Sequence, residues 1–275
     1  MTINRSLLFL VFKYTVYVLL TMNVYWFYLE ESAAAVLQFS DGIEANRFIE
    51  AYSATIDTAA WVVLLLLFEL ETYVLDERHF TRAVALSLHG LRAICYALII
   101  YAFFGYIANL NFHYAMGVLE EVTDACALLP DAWLWAVTLD EYAEITAANC
   151  SSLAAGGSLY QFEEMRAVVD QAGLTDIRRL AWVDVINAAV WLLVVMVLEI
   201  DVRLQERDRL QGLALRTSTG AKFILYSILL LAAVYWGVKG DFVDFWDAFL
   251  WLVAFVFIEL NIFEWRQEEL QASSS

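Results

Sequence analysis

The feature that most constrains this chain is a series of long apolar segments. A helix that crosses a bilayer needs about 20 mostly apolar residues, and six segments meet that requirement: 7–28, 54–75, 84–108, 181–203, 217–238 and 242–264. Helices are expected because hydrocarbon offers the backbone no hydrogen-bond partners. With 62% hydrophobic residues, the chain is also too apolar for a soluble domain, whose apolar content is about 45–50%. The sequence therefore predicts an all-α polytopic membrane protein with six transmembrane helices.

A repeated polar pattern divides these segments into pairs. Seven residues of one segment recur 187 − 57 = 130 positions later in the same order and without a gap. Asp57, Trp61, Glu69, Glu71, Gly90, Arg92 and Tyr96 correspond to Asn187, Trp191, Glu199, Asp201, Gly220, Lys222 and Tyr226. Parts of the pattern recur near the two ends of the chain, as Asp247, Trp251, Glu259 and Asn261 and as Lys13 and Tyr17. Chance matching of apolar residues is the alternative, but identically spaced polar residues favour internal duplication. We expect three antiparallel helix pairs with approximate threefold pseudosymmetry.

Basic residues near the spans predict the orientation, because Lys and Arg concentrate on the cytoplasmic side. If the spans alternate, one side carries Arg5, Lys13, Arg78, Arg82, Arg203, Arg207, Arg209, Arg216 and Arg266. The opposite side carries Arg47, Arg166, Arg178, Arg179 and Lys239, which argue against the assignment. The balance predicts the cell inner (cytoplasmic) membrane with both termini in the cytoplasm. Spans 1–3 with an outer loop at 30–50 occupy residues 1–110, and spans 4–6 with a cytoplasmic tail occupy residues 181–275.

Residues 111–180 have no counterpart in the repeat and form an insertion on the outer side. Their mixture of apolar and charged positions predicts a small extracytoplasmic helical cap packed on the membrane domain. Cys126 and Cys150 both lie in this insertion. In an oxidising compartment these two cysteines would form a disulfide that staples the cap. Two free buried thiols are the alternative, since spacing alone cannot fix a pairing.

The repeated charges define the candidate site. Residues four apart lie on one face of a helix, so Asp57, Trp61 and Glu69 form a stripe. Two further stripes repeat it, one with Asn187, Trp191 and Glu199 and one with Asp247, Trp251, Phe255 and Glu259. Glu69 and Arg92 are 92 − 69 = 23 residues apart, and so are Glu199 and Lys222. In an antiparallel hairpin each couple reaches one depth, where opposite charges can pair. If the three pairs close into a ring, Lys13 is left for Glu259. Tyr17, Tyr96 and Tyr226 follow one turn after the bases and add hydrogen bonds.

Two functional interpretations follow from these charges. The first is a channel-like or transporter-like component for a cation or proton, in which Glu69, Glu199 and Glu259 line a path and the bases act as exchangeable counter-charges. The second is a non-catalytic accessory or scaffold subunit of a larger membrane complex. It is favoured because the spans lack the Pro and paired Gly with which transporters commonly interrupt helices. The expected partners are the lipid bilayer, cations or protons, and other membrane subunits or further copies of the chain.

Other classes of protein are disfavoured. A formal charge of −17 opposes nucleic-acid binding. No His pair at ligand spacing and no calcium-binding loop is present, so no metal or cofactor is expected. His79, His89 and His113 are interpreted as solvent-side or interfacial residues and not as haem ligands. The absence of a phosphate-binding glycine loop and of a nucleophile elbow argues against an enzyme.

Overall fold

Long helices dominate the computed structural model, which describes residues 5–39, 42–71, 81–120, 122–153, 157–162, 165–205, 207 and 211–255. The helices are α1 Arg5–Gln38, α2 Phe48–Ala51, α3 Ser53–Glu69, α4 Arg82–Tyr114, α5 Cys150–Leu153, α6 Gln171–Gln205 and α7 Leu213–Lys239. A further helix, α8, covers 242–255. A 3₁₀ helix spans Ala125–Asp131.

Among the described residues, four helices are long and apolar enough to cross a membrane: Leu7–Gln38, Arg82–Tyr114, Gln171–Asp201 and Leu213–Lys239. They overlap the predicted first, third, fourth and fifth spans, although α1 continues to Gln38, into the segment 30–50 that was predicted to be a loop. The predicted second and sixth spans begin in α3 and α8, and both continue into residues that lie outside the described ranges. The 33 residues of α4 measure about 50 Å at 1.5 Å per residue, which exceeds the hydrocarbon thickness of about 30 Å. A helix of this length extends beyond the lipid.

The insertion is built around a β-sheet, so the prediction of an all-α fold with a helical cap was wrong in this region. Its strands are β1 Gly117–Leu119, β2 Leu134–Ala136, β3 Tyr142–Glu144, β4 Leu159–Gln161 and β5 Ala167–Asp170. Their order is β1-β4-β5-β2-β3. The β2 and β5 strands pair in parallel, whereas the other neighbours are antiparallel. In the central strand β5, Ala167, Val168 and Val169 are all completely buried. A strand of three or four residues is too short to show the alternation of apolar and polar residues that distinguishes a strand from a helix in the sequence.

A disulfide joins the 3₁₀ helix to α5, as predicted. Cys126 and Cys150 are bonded, with 4.9 Å between their Cα atoms and a sequence separation of 24. Closing a loop of this size lowers the entropy of the unfolded chain and stabilises the fold by about 3 kcal/mol. The bond therefore supplies stability to a sheet whose strands are very short.

The chain divides into two compact units. One joins the residues up to Asn23 with those from Val190 onward, and the other runs from Val24 to Ala189. The second unit holds α2, α3, α4 and the sheet. There α2 packs so closely against α4 that a Cβ atom added at Gly105 would lie 2.6 Å from the carbonyl oxygen of Ile49. Only a glycine fits at that point of α4.

Candidate functional site

The first ion pair connects the end of α3 to α4. The Arg92 guanidinium binds the carboxylate of Glu71, and both side chains are largely buried. At the opposite end of the same helices, the Tyr106 hydroxyl donates to Asp57 with an O···O distance of 3.5 Å. Because one contact joins the end of α3 to the first part of α4 and the other joins the start of α3 to the last part of α4, the two helices are antiparallel. The two polar contacts therefore tie this hairpin at both ends.

The second ion pair repeats the first in α6 and α7. The Lys222 Nζ atom lies 3.3 Å from Oδ2 of Asp201, and the Ser218 hydroxyl donates to the same oxygen over 2.5 Å. Arg92 follows Glu71 by 92 − 71 = 21 residues, and Lys222 follows Asp201 by 222 − 201 = 21 residues. Equivalent positions of the repeat thus make equivalent ion pairs.

In both hairpins the base contacts the second acid of the motif, Glu71 or Asp201. The partners predicted from the sequence were the first acids, Glu69 and Glu199. Two residues along a helix correspond to a rotation of about 200°, so Glu69 and Glu71 face nearly opposite directions. Glu69 is buried, with 6% of its surface exposed. Glu199 is exposed and pairs with Arg203 of its own helix at 2.9 Å. The first acids therefore have different environments in the two hairpins.

The third predicted ion pair, between Lys13 and Glu259, lies only partly within the described residues. Lys13 lies in α1 and is buried, with 6% of its surface exposed. Glu259, its predicted partner, and Asn261 lie outside the described residues. The pairing of Lys13 with Glu259 stays a prediction. The hydrogen bonds expected from Tyr17, Tyr96 and Tyr226 also stay predictions.

The polar residues that begin each stripe have unlike partners. Asp247 accepts from Nδ2 of Asn23 at 2.9 Å and from the indole N–H of Trp251. Asn187, the neutral counterpart, has a buried Oδ1 atom without a hydrogen-bond partner among the described residues. Asn23 and Tyr106 were missed by the sequence analysis because neither belongs to the repeated motif. An Asn inside an apolar run was the available signal for Asn23.

Aromatic side chains of two stripes pack against one another. The ring centroids of Trp191 and Trp251 lie 6.4 Å apart, and the Trp191 and Phe255 centroids lie 4.7 Å apart. All three side chains are buried. Trp61, the counterpart in α3, is buried as well. The middle of the stripe in α6 therefore packs through buried aromatic rings against the middle of the stripe in α8.

Glu31 of α1 is a buried acid that lies outside the repeated motif and was not predicted from the sequence. Its two carboxylate oxygens accept from the backbone N–H groups of Ala54 at 2.7 Å and Thr55 at 3.0 Å. These groups belong to the first turn of α3, where N–H groups lack partners within the helix and the helix dipole favours negative charge. Tyr52, the residue before α3, supplies no side-chain cap. Glu31 thus caps α3 from a different helix.

His113 is not a solvent-side residue, which was one of the two positions expected for it; its position relative to a membrane interface stays a prediction. Its side chain is completely buried and packs edge-on against Phe112 and Phe162. Its Nδ1 atom lies 2.8 Å from the carbonyl oxygen of Asn109, and Arg178 of α6 donates to the backbone carbonyl of His113 at 3.1 Å. His113 and Arg178 therefore join the end of α4 to the start of α6. Of the other two histidines, His89 is exposed and His79 lies outside the described residues.

The chemistry of these contacts is that of helix association. Within the described ranges, no group of three or more His, Cys, Asp or Glu side chains is arranged to hold a metal ion. The ion pairs and the Glu31 cap satisfy charges that would be costly to leave unpaired in an apolar environment. Comparison with known protein families, curated proteins and solved structures finds no match to this chain.

Proposed function

We propose that this chain is a non-catalytic accessory or scaffold subunit of a larger membrane complex. Its long apolar helices anchor it in the lipid, and the disulfide-bonded sheet is the part offered to partners outside the membrane. The observation that carries this proposal is the packed contact of Trp191 with Trp251 and Phe255. A route for ions along the stripes would need water at that level, whereas buried aromatic rings are suited to holding helices together.

The ion pairs support the same proposal. Arg92 and Lys222 each bind an acid of the neighbouring helix at the same separation along the chain. Closed pairs of this kind commonly serve helix assembly within membranes. They fix the register of each hairpin without leaving a mobile charge. A rigid hairpin is a suitable support for an outer domain that binds another protein.

The proposal includes the finer architecture. Six spans form three antiparallel pairs with approximate threefold pseudosymmetry, in the inner membrane and with both termini in the cytoplasm. The equal spacing of the two ion pairs supports the duplication. Labelling of single cysteines placed on Cys-free chains in intact cells tests the topology. Residues 120 and 140 should react with an impermeant maleimide, whereas residues 2 and 211 should not.

The docking role is tested with the full-length protein purified in mild detergent from its native membrane. We expect a defined complex in which photo-crosslinkers at exposed sheet residues such as Val118 or Val137 capture one partner in fixed stoichiometry. Replacing both Cys126 and Cys150 with Ser should abolish that crosslink, because the sheet loses its staple. Cys95→Ala is the matched control, since Cys95 is a free thiol within α4. Recovery of the chain only as a monomer without crosslinks would count against the scaffold.

A second candidate function is passage of a cation or proton, using Glu69, Glu199 and Glu259 with Arg92, Lys222 and Lys13. It is favoured by the burial of Glu69 and Lys13, because buried ionisable groups in spans commonly mark ion pathways. Replacing the three Glu residues together with Gln should abolish flux into liposomes. Unchanged flux through a folded triple variant would end this interpretation.

A further inference from the structure

Asp247 of α8 forms no ion pair with a basic residue among the described residues. Its hydrogen-bond donors are the Asn23 amide and the Trp251 indole, both of which are neutral. Glu71 and Asp201, by contrast, each bind a base. A carboxylate in a span that has only neutral donors carries a large desolvation cost. Binding one positive charge would remove that cost.

The Asn23 amide shows where that charge would bind. Asn23 is completely buried, and its Oδ1 atom has no hydrogen-bond partner among the described residues. An amide that donates to one carboxyl oxygen through the N–H on the side of its own carbonyl brings that carbonyl oxygen beside the second carboxyl oxygen. A proton on the second carboxyl oxygen could then be donated to Oδ1 of Asn23. If the amide were turned over, its carbonyl oxygen would face the carboxyl group directly and would also require a proton there.

The surroundings of Asp247 contain further acids on the outer side. Asp241 and Asp244 precede it at intervals of three residues, so the three carboxyl groups follow one face at the start of α8. Burial raises the pKa of Asp241, whose carboxyl group accepts a hydrogen bond from the backbone N–H of Asp244. Lys239, at the end of α7, lies over the ring of Tyr235. Within the described chain, no Lys, Arg or His forms an ion pair with Asp247.

We propose that the Asp247 and Asn23 pair is a proton-binding site. The proton joins one carboxylate oxygen of Asp247 and is donated to Oδ1 of Asn23, while Nδ2 of Asn23 continues to donate to the other carboxyl oxygen. It arrives from the outer aqueous phase by way of Asp241 and Asp244 and leaves by the same groups, and no other bond is made or broken. A proton needs no space of its own, which suits the complete burial of Asn23. The site does not depend on the docking role or on the three Glu residues of the motif.

The repeat supplies a conservative variant for testing this site. Asn187 occupies the position equivalent to Asp247, one turn before a Trp in both cases. The fold therefore accepts a neutral amide at this position of a stripe, and Asp247→Asn is the natural substitution. Asp176→Asn is the matched control, because Asp176 is a half-exposed acid near Arg179. It removes one carboxyl group at a position where ionisation costs little.

The test is infrared spectroscopy of the full-length protein in lipid nanodiscs at neutral pH. The difference spectrum between the wild type and Asp247→Asn should contain the C=O band of a neutral carboxylic acid, and that band should shift in D₂O. Asp176→Asn should leave the band unchanged. Asn23→Leu should move it to higher frequency, because the C=O group loses the amide donor, and this variant decides the matter if Asp247→Asn fails to fold.

Three results would overturn the proposal. Carboxylate bands in place of the acid band would mean that Asp247 is ionised. An acid band that appears only after Na⁺ is replaced by choline would identify a metal-cation site in place of a proton site. A band that does not respond to Asn23→Leu would exclude the amide as the partner of the carboxyl group.

Discussion

The hairpin of α3 and α4 and the hairpin of α6 and α7 contain the same ion pair but are supported differently around it. In the first, Glu71 binds Arg92, Glu31 caps α3, and α2 packs closely on α4 at Gly105. In the second, Asp201 binds Lys222 and also accepts from Ser218, and the buried Oδ1 atom of Asn187 has no hydrogen-bond partner within the described ranges. The shared contact is therefore the ion pair, and the remaining contacts are additions particular to each hairpin.

The close contact at Gly105 should give the largest effect. Gly105→Val would place Cβ within 2.6 Å of a carbonyl oxygen and 2.9 Å of the Ser53 Cβ, so α2 and α3 must move away from α4. We expect a loss of about 3 kcal/mol in stability, the upper range of overpacking costs. Chemical denaturation in detergent micelles measures it.

Gly90→Ala is the control for this prediction, because nothing lies within 4 Å of a Cβ atom at Gly90 in the same helix. It should stabilise α4 by about 0.5–1 kcal/mol, as Ala replaces Gly within a helix. Equal destabilisation by both substitutions would mean that the α2 contact does not distinguish the first hairpin from the second.

Removing the disulfide should affect the β-sheet of the insertion and neither hairpin ion pair. The double replacement of Cys126 and Cys150 with Ser should cost the sheet about 3 kcal/mol. Hydrogen exchange should show loss of protection in β2 and β5, whereas α4 and α7 keep theirs. Loss of protection in both hairpins as well would show that the sheet supports the membrane helices.

Removing either base should have similar effects in the two hairpins. Arg92→Ala and Lys222→Ala each leave a largely buried acid without its partner, and breaking such pairs costs up to about 3–5 kcal/mol in full burial. With partial exposure, we expect about 2 kcal/mol for each by thermal unfolding. Arg203→Ala is the exposed control and should cost less than about 1 kcal/mol. A large loss for one base and none for the other would argue against equivalent roles.

The Glu31 cap should give the smallest of these effects and only in the first hairpin. Glu31→Ala leaves two backbone N–H groups of α3 without acceptors, which costs about 1–2 kcal/mol for a lost helix cap. Local opening of residues 53–56 should become faster in hydrogen exchange, with α6 unchanged. Unchanged exchange in α3 would show that Glu31 is not its cap.

The helices of both hairpins and the bases of their ion pairs were predictable from the sequence, but the acids that pair with those bases were not. The apolar runs that became α1, α4, α6 and α7 were visible because a span needs a long uninterrupted segment. The bases Arg92 and Lys222 were identified from the repeat, but the motif alone could not say which of two acids faces them. That choice depends on the rotation of one helix against its neighbour, and the sequence spacing does not contain it.

The β-sheet and the buried polar contacts could not be predicted from the sequence for a different reason. Strand β5 has four residues, too few for a period. The contacts of Glu31 with α3 and of Asn23 with α8 join residues 23 and 224 positions apart, and neither partner signals the other locally. The disulfide was predictable as a candidate because two cysteines fell in one inserted segment, which was expected to face an oxidising compartment.

The central claim is that both hairpins are held by the same ion pair, and charge reversal tests it most directly. Glu71→Arg with Arg92→Glu, and Asp201→Lys with Lys222→Asp, should each recover most of the thermal stability that the corresponding single reversals lose. We expect thermal stability to recover in both hairpins. It should not recover when Glu69→Arg, in place of Glu71→Arg, is combined with Arg92→Glu. Recovery in one hairpin alone, or through Glu69, would contradict it.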